Sequence, residues 1–255
     1  MRSVILSIVL VVPFFGVQAQ SRPASDPPAI ALAAQSIAAV AGSSNLSDVT
    51  LTGNAKLNMQ ESGTFKLSAL GSGESRIDLV LPGGTTTVIR DVRSKAPHGE
   101  WKAPNNRSGT LSSHNCLTDA AWFIPALGSL AAAPNVVLTY VGKEVRKGVE
   151  VQHLHSYVYE AGQGSVPGMK ELSGMDFYLD AATLLPVATT FNAHPDHDAL
   201  TNLLVEIDFT DYQRMNGVLV PKHIQRYQQG ALILDLIVTG ASFNSGLQPA
   251  LFAIN

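Results

Sequence analysis

The run FNAHPDHDAL, Phe191 to Leu200, sets His194, Asp196, His197 and Asp198 within five positions. Imidazole and carboxylate side chains this close suit a zinc-like ion, which takes three or four such donors at about 2.0–2.2 Å. His194 and His197 are three apart, a spacing that converges on a helix face, but Pro195 biases His194 away from helical geometry. In extended chain the same spacing points the two rings apart. Pro-Asp-x-Asp is also turn composition, in which Asp side chains bond nearby backbone N–H groups. The segment therefore reads as a polar connection between a strand ending near Asn192 and one starting near Leu204.

His153 and His155 are the second candidates. At positions i and i+2 of a strand they share a face and are able to meet one ion. That face also carries Val149, Val151, Tyr157 and Tyr159, and is more apolar than the one with Glu150, Gln152 and Ser156. The pair reads as histidines hydrogen-bonded inside a barrel or lining a cavity, with no third ligand visible.

Other catalytic patterns are weaker. No Gly-x-Ser-x-Gly elbow is present. Ser113, His114 and Asp119 are close in sequence, whereas catalytic triads join distant segments. Asp176 and Asp180 have even strand spacing, and Asp180 is placed to cap the turn that follows. Gly71-Ser72-Gly73 joins two strands instead of opening a helix, so it is no nucleotide loop. Cys116, the single cysteine, cannot form a disulfide within its own chain and reads as a small buried apolar residue.

The chain that must position these groups has 255 residues, 45% hydrophobic and 15% charged, with net charge −3. It can bury a core, and with no basic block it has no electrostatic case for nucleic acid. MRSVILSIVLVVPFFGVQAQ has a basic start, an apolar run and a small-x-small site ending at Ala19. Residues 1–19 are thus expected to be a cleaved signal peptide and 20–28 a flexible leader, giving a periplasmic or secreted protein. No later stretch is long and apolar enough to span a bilayer.

Asp26, Pro27 and Pro28 open an alanine-rich helix with Ile30, Ala33, Ala34, Ile37, Ala38 and Ala41 on one face; Gly42 ends it. Alternating segments such as VTLTGNAKLNM then predict long antiparallel strands. Asn216-Gly217 is the strongest hairpin signal, with further turns at Lys147-Gly148 and Gln229-Gly230. A helical insertion around Asn115–Pro134, with Trp122 and Phe123 as anchors, interrupts the strands. In ALILDLIV, Leu232, Leu234, Leu236 and Val238 share one face and Ile233 and Ile237 the other, so both faces meet apolar material. Residues 29–255 read as one domain, α+β but mainly antiparallel β, of roughly ten strands.

Several segments carry a resemblance to the LolA-like lipoprotein-carrier superfamily. These are Phe177-Tyr178-Leu179-Asp180 with Thr183, Leu185 and Pro186; Phe209, Asp211 and Tyr212 with Asn216, Gly217, Val218 and Pro221; and Phe243-Asn244. The resemblance implies a half-open β-barrel with an apolar concave face and helices as a lid. It also implies a protein that carries acyl chains, binds other lipids, or senses envelope stress through partners.

The expectation is a non-enzymatic exported protein that binds lipid or an acylated partner and needs no cofactor. Ile30, Ile37, Trp122, Phe123, Leu232, Leu234 and Leu236 are its expected cavity or lid residues. Two rival readings stand beside it. One is a metal-dependent hydrolase using His194, Asp196 and His197 with His153 or His155. The other is an envelope sensor or scaffold that binds a protein partner.

Overall fold

The strands fall into two meanders that meet at a single join. A computed structural model of the chain describes residues 23–42, 44–91, 97–118, 133–159, 168–195 and 197–254. The first meander is β1 (Asp48–Leu57), β2 (Glu61–Leu70), β3 (Ser75–Leu81), β4 (Gly84–Asp91), β5 (His98–Ala103) and β6 (Arg107–Leu111). The second is β7 (Val136–Arg146), β8 (Val149–Val158), β9 (Met175–Asp180), β10 (Pro186–Ala193), β11 (Leu203–Met215), β12 (Val218–Gln228) and β13 (Ala231–Phe243). β1 pairs with β13, which gives one antiparallel sheet ordered β6-β5-β4-β3-β2-β1-β13-β12-β11-β10-β9-β8-β7.

Among the described residues there are thirteen strands, more than the roughly ten expected from sequence. The unforeseen ones are β5, HGEWKA, and β6, RSGTL, which are too short and polar to show an apolar alternation. The turn chemistry does what the sequence implies. Asn216 and Gly217 both take positive φ, 49° and 88°, in the β11–β12 hairpin. Asp180 Oδ1 accepts from the N–H groups of Ala182 and Thr183 and from the Thr183 hydroxyl. At the join, a Cβ on Gly53 would stand 2.0 Å from the Ile237 carbonyl oxygen, so only glycine lets β1 and β13 close there.

Helix α1 (Pro27–Ala41) lies across one face of the sheet, against β7 and β12. Its buried residues are Ala29, Ala33, Ser36, Val40 and Ala41, a face rotated from the one the sequence suggests. Ile30 is 45% exposed, and Ala34 and Ala38 are exposed too. An alanine-rich helix has little side-chain bulk to fix its phase, so the closest fit to the sheet chose the smallest residues. Asp26 is the N-cap residue of α1, its carbonyl accepting from Ile30 N–H, but its side chain makes no cap hydrogen bond. It bonds the edge strand instead: Asp26 N–H donates to Leu138 O at 2.8 Å, and Tyr140 N–H donates to Asp26 Oδ2 at 2.9 Å. Leu138 N–H donates to Ser25 Oγ at 3.0 Å, so Ser25 and Asp26 cover part of an otherwise open edge.

Three short helical segments complete the described elements: α2 (Ser113–Thr118), α3 (Met169–Leu172) and a 3-10 turn at Pro249–Phe252. α2 touches β5, β10 and α3, and so bridges strands from the two meanders. Of the expected insertion only α2 and the stretch from Ala133 are described. Trp122, Phe123, Asp119 and Asp196 lie outside the described residues, as do the expected signal peptide and residues 20–22 of the leader. Among the described residues no helix is long and apolar enough to cross a membrane.

Candidate functional site

The face under α1 is apolar along the sheet. Leu51, Phe65, Leu79, Phe177, Ile207, Phe209, Ile224 and Leu236 are all buried in one cluster with Ala29, Ala33 and Val40 of α1. Large aliphatic and aromatic side chains form the floor, and alanine and serine form the seam of the helix above it. Leu234 and Leu236 point into this cluster, while Ile37 is half-buried at the margin of α1. Leu232 departs from its expected face. A register shift between Arg226 and Tyr227 sets Leu234 opposite Arg226 but Leu232 opposite Tyr227, which leaves Leu232 half-buried outside the cluster.

His153 and His155 face the other way. The inner face of β8 carries Leu154, fully buried, whereas Val151 joins a small outer cluster with Tyr178 and Ala188. That satellite explains why the histidine face looked apolar in sequence. On this outer face Asp176 of β9 stands directly opposite His155 in register. Its Oδ1 is 2.9 Å from His153 Nε2 and 2.9 Å from His155 Nδ1. Burial pushes the Asp176 carboxyl up, but the hydrogen bonds and charge of the two histidines outweigh it and hold its pKa at about 2. Sequence spacing alone did not join Asp176 to the pair.

The polar network continues along the outer face. The His153 ring stacks on Tyr178 at 4.5 Å, and the Arg146 guanidinium lies 4.1 Å from the Tyr178 ring centre. Arg146 also pairs with Glu206 at 2.9 Å, and Lys147 pairs with Glu206 and Asp208. Beside Asp176 a cavity of about 290 Å³ is lined by His155, Lys170, Glu171, Asp176, Thr190 and Asn192.

The HPDHD segment does not gather its donors. His194 is buried, its Nδ1 is 3.1 Å from the Thr201 carbonyl oxygen, and its ring sits edge-on to His114. His197 is exposed. Asp198 folds a turn on itself, accepting from Leu200 N–H, Thr201 N–H and the Thr201 hydroxyl. Asn115 of α2 holds the His194 backbone from both sides. Among the described residues no group of three or more His, Cys, Asp or Glu is placed to hold a metal ion. Cys116 is fully buried.

The fold and its apolar, helix-covered face define an open antiparallel half-barrel. No protein-family model matches the chain, and no curated protein matches it. Solved structures do. A domain from Vibrio parahaemolyticus described as an outer membrane lipoprotein-sorting protein superposes with TM-score 0.55 at 17% identity, over 88% of this chain and 96% of that one. A LolA superfamily protein from Nitrosomonas europaea gives 0.52 at 10%, over 89% and 97%. A DUF1329 family protein from Desulfovibrio piger gives 0.51 at 12%, over 89% and 96%. The fold is thus LolA-like, as the sequence motifs imply.

Proposed function

We propose that this is an exported, non-enzymatic binding protein that holds a lipid or an acylated partner between α1 and the inner face of the sheet. The observation that carries this reading is the mismatch in size across that contact. The sheet offers Phe177, Ile207, Phe209, Ile224 and Leu236, while α1 meets it through Ala29, Ala33, Ser36 and Val40. A seam of small side chains gives up little contact when the helix moves. Ser25 and Asp26 tether its start to β7, which leaves a pivot. Leu234 and Leu236 of the sheet and Ile37 of α1, with Trp122 and Phe123, are the proposed wall and lid.

An acyl chain that buries ten methylenes gains roughly 8 kcal/mol, which corresponds to micromolar affinity before any headgroup contact. The lipoprotein-sorting description of the Vibrio neighbour supports the same ligand class. Titration with a fluorescent long-chain fatty acid tests it. Saturable one-to-one binding, displaced by phospholipid and weakened by Ile37→Glu, is expected. A folded chain that shows no saturable binding contradicts it.

A further inference from the structure

We propose that Ser36 recognises the ligand held under α1 by donating to one of its carbonyl oxygens, so that the ligand class is an acyl ester and not a plain hydrocarbon. This rests on the lipid reading above and sharpens it. That reading needs apolar volume alone, whereas this one needs an oxygen at a fixed place.

Ser36 lies on the inward face of α1, where Ala29, Ala33, Ser36 and Val40 are buried at helical spacing. Ala33 and Val40 belong to the cluster that also holds Ile207, Ile224 and Leu236. Ser36 itself is 1% exposed, and its Oγ has no hydrogen-bond partner among the described residues. A serine within a helix ordinarily turns its hydroxyl to solvent or donates back to the carbonyl one turn earlier. Burial excludes the first here, and the second, a bond to the Leu32 carbonyl, is not formed. A buried water is no substitute. It needs several polar partners, and the side chains beside Ser36 on this face are alanine and valine.

The sheet repeats the pattern. Ser75 Oγ and Ser156 Oγ are also buried with no hydrogen-bond partner among the described residues. Ser75 of β3 stands opposite Ala69, and Ser156 of β8 stands opposite Leu138 and Met175. Opposed residues of an antiparallel pair share a face, and Ala69, Leu138 and Met175 all belong to the inner cluster. Among the described residues, the buried serine hydroxyls left unpaired thus all face the side that α1 covers. Such a hydroxyl destabilises the ligand-free chain. A carbonyl oxygen brought by a ligand removes that penalty, and a methylene chain does not. Of the three, Ser36 lies in the seam where the ligand is held.

The test compares two probes of equal chain length on the purified full chain: a pyrene-labelled long-chain methyl ester and the corresponding pyrene-labelled alkane. The unaltered chain is expected to bind the ester more tightly. Ser36→Ala weakens the ester by about 5-fold and leaves the alkane unchanged. The infrared carbonyl band of the bound ester lies at lower frequency in the unaltered chain than in Ser36→Ala. Ligand-free Ser36→Ala unfolds at the same temperature as the unaltered chain or at a higher one, because the unpaired hydroxyl has gone. Equal affinity of the unaltered chain for the two probes overturns the proposal without any variant. So does an equal loss for both probes in Ser36→Ala, an unchanged ester affinity or carbonyl band, or a lower unfolding temperature of the ligand-free variant. Each of these leaves the lipid reading in place. If neither probe binds saturably to the folded unaltered chain, the lipid reading falls and the proposal with it.

Discussion

Asn115 clasps His194 by its backbone. The His194 N–H donates to Asn115 Oδ1 at 2.9 Å, and Asn115 Nδ2 donates to the His194 carbonyl at 2.7 Å. One side-chain amide thus replaces a strand neighbour at the end of β10. It also ties α2, which touches β5, to the far meander. The segment that looked most like chemistry in the sequence is held as architecture.

Asn115→Ala leaves two backbone groups at the buried His194 without their partner. A loss of ~1–3 kcal/mol in stability is expected by urea denaturation. His197→Ala, in an exposed turn, is expected to change stability by less than ~0.5 kcal/mol. A metal site built on His194 and His197 would instead make both substitutions costly, and the cost would depend on metal.

The Asp176 cluster gives the protein an acid-sensitive join. A carboxyl with an ordinary value of 3.8 and a folded value of about 2 binds its proton more weakly when folded. Its contribution is therefore fully present above about pH 4 and lost as pH falls through about 2. Discounted for the partial exposure of the group, that contribution is ~1–2 kcal/mol. Stability measured from pH 5 down to 2 should fall more steeply for the unaltered chain than for Asp176→Asn. Equal slopes would show that the two histidine contacts do not persist in solution.

Gly53→Ala is expected to be among the most damaging single changes. The added carbon would stand 2.0 Å from the Ile237 carbonyl and 2.9 Å from the Phe65 ring. The backbone of β1 or β13 must shift at the one join between the meanders, a cost of at least ~2 kcal/mol. Thermal unfolding of the variant measures it, and a change within error would mean that the join is looser than the described register.

Ala33→Leu tests the helix seam. Ala33 is fully buried between α1 and the sheet, and three further carbons there force the helix outward. Overpacking should cost ~1–3 kcal/mol in the ligand-free chain. In the binding account the same substitution also weakens lipid, because it occupies the ligand's space. Unchanged lipid affinity would place the ligand elsewhere.

What could be read in the sequence follows from how local each signal is. The hairpin at Asn216-Gly217 and the turn at Asp180–Thr183 depend on side chains and φ values within four residues, and both formed as read. The Tyr212 hydroxyl, donating to the Pro186 carbonyl at 2.7 Å, links two of the three segments that carried the LolA-like resemblance. The phase of α1 was hidden because alanines on every side leave the sheet to choose the face. The pairing of Asp176 with His153 and His155 was hidden because it depends on the β8–β9 register, which joins residues 23 and 21 positions apart. The outer position of the histidines was masked by Val151 and Tyr178, which give that side of the sheet an apolar patch of its own.

The most direct measurement is native mass spectrometry of the chain purified gently from the host envelope, before and after delipidation. The account requires a mass increment of one lipid or acyl group per chain, lost on delipidation, regained on adding phospholipid, and reduced in Ile37→Glu. A folded chain that carries no lipid as purified and takes up none when it is offered would contradict it.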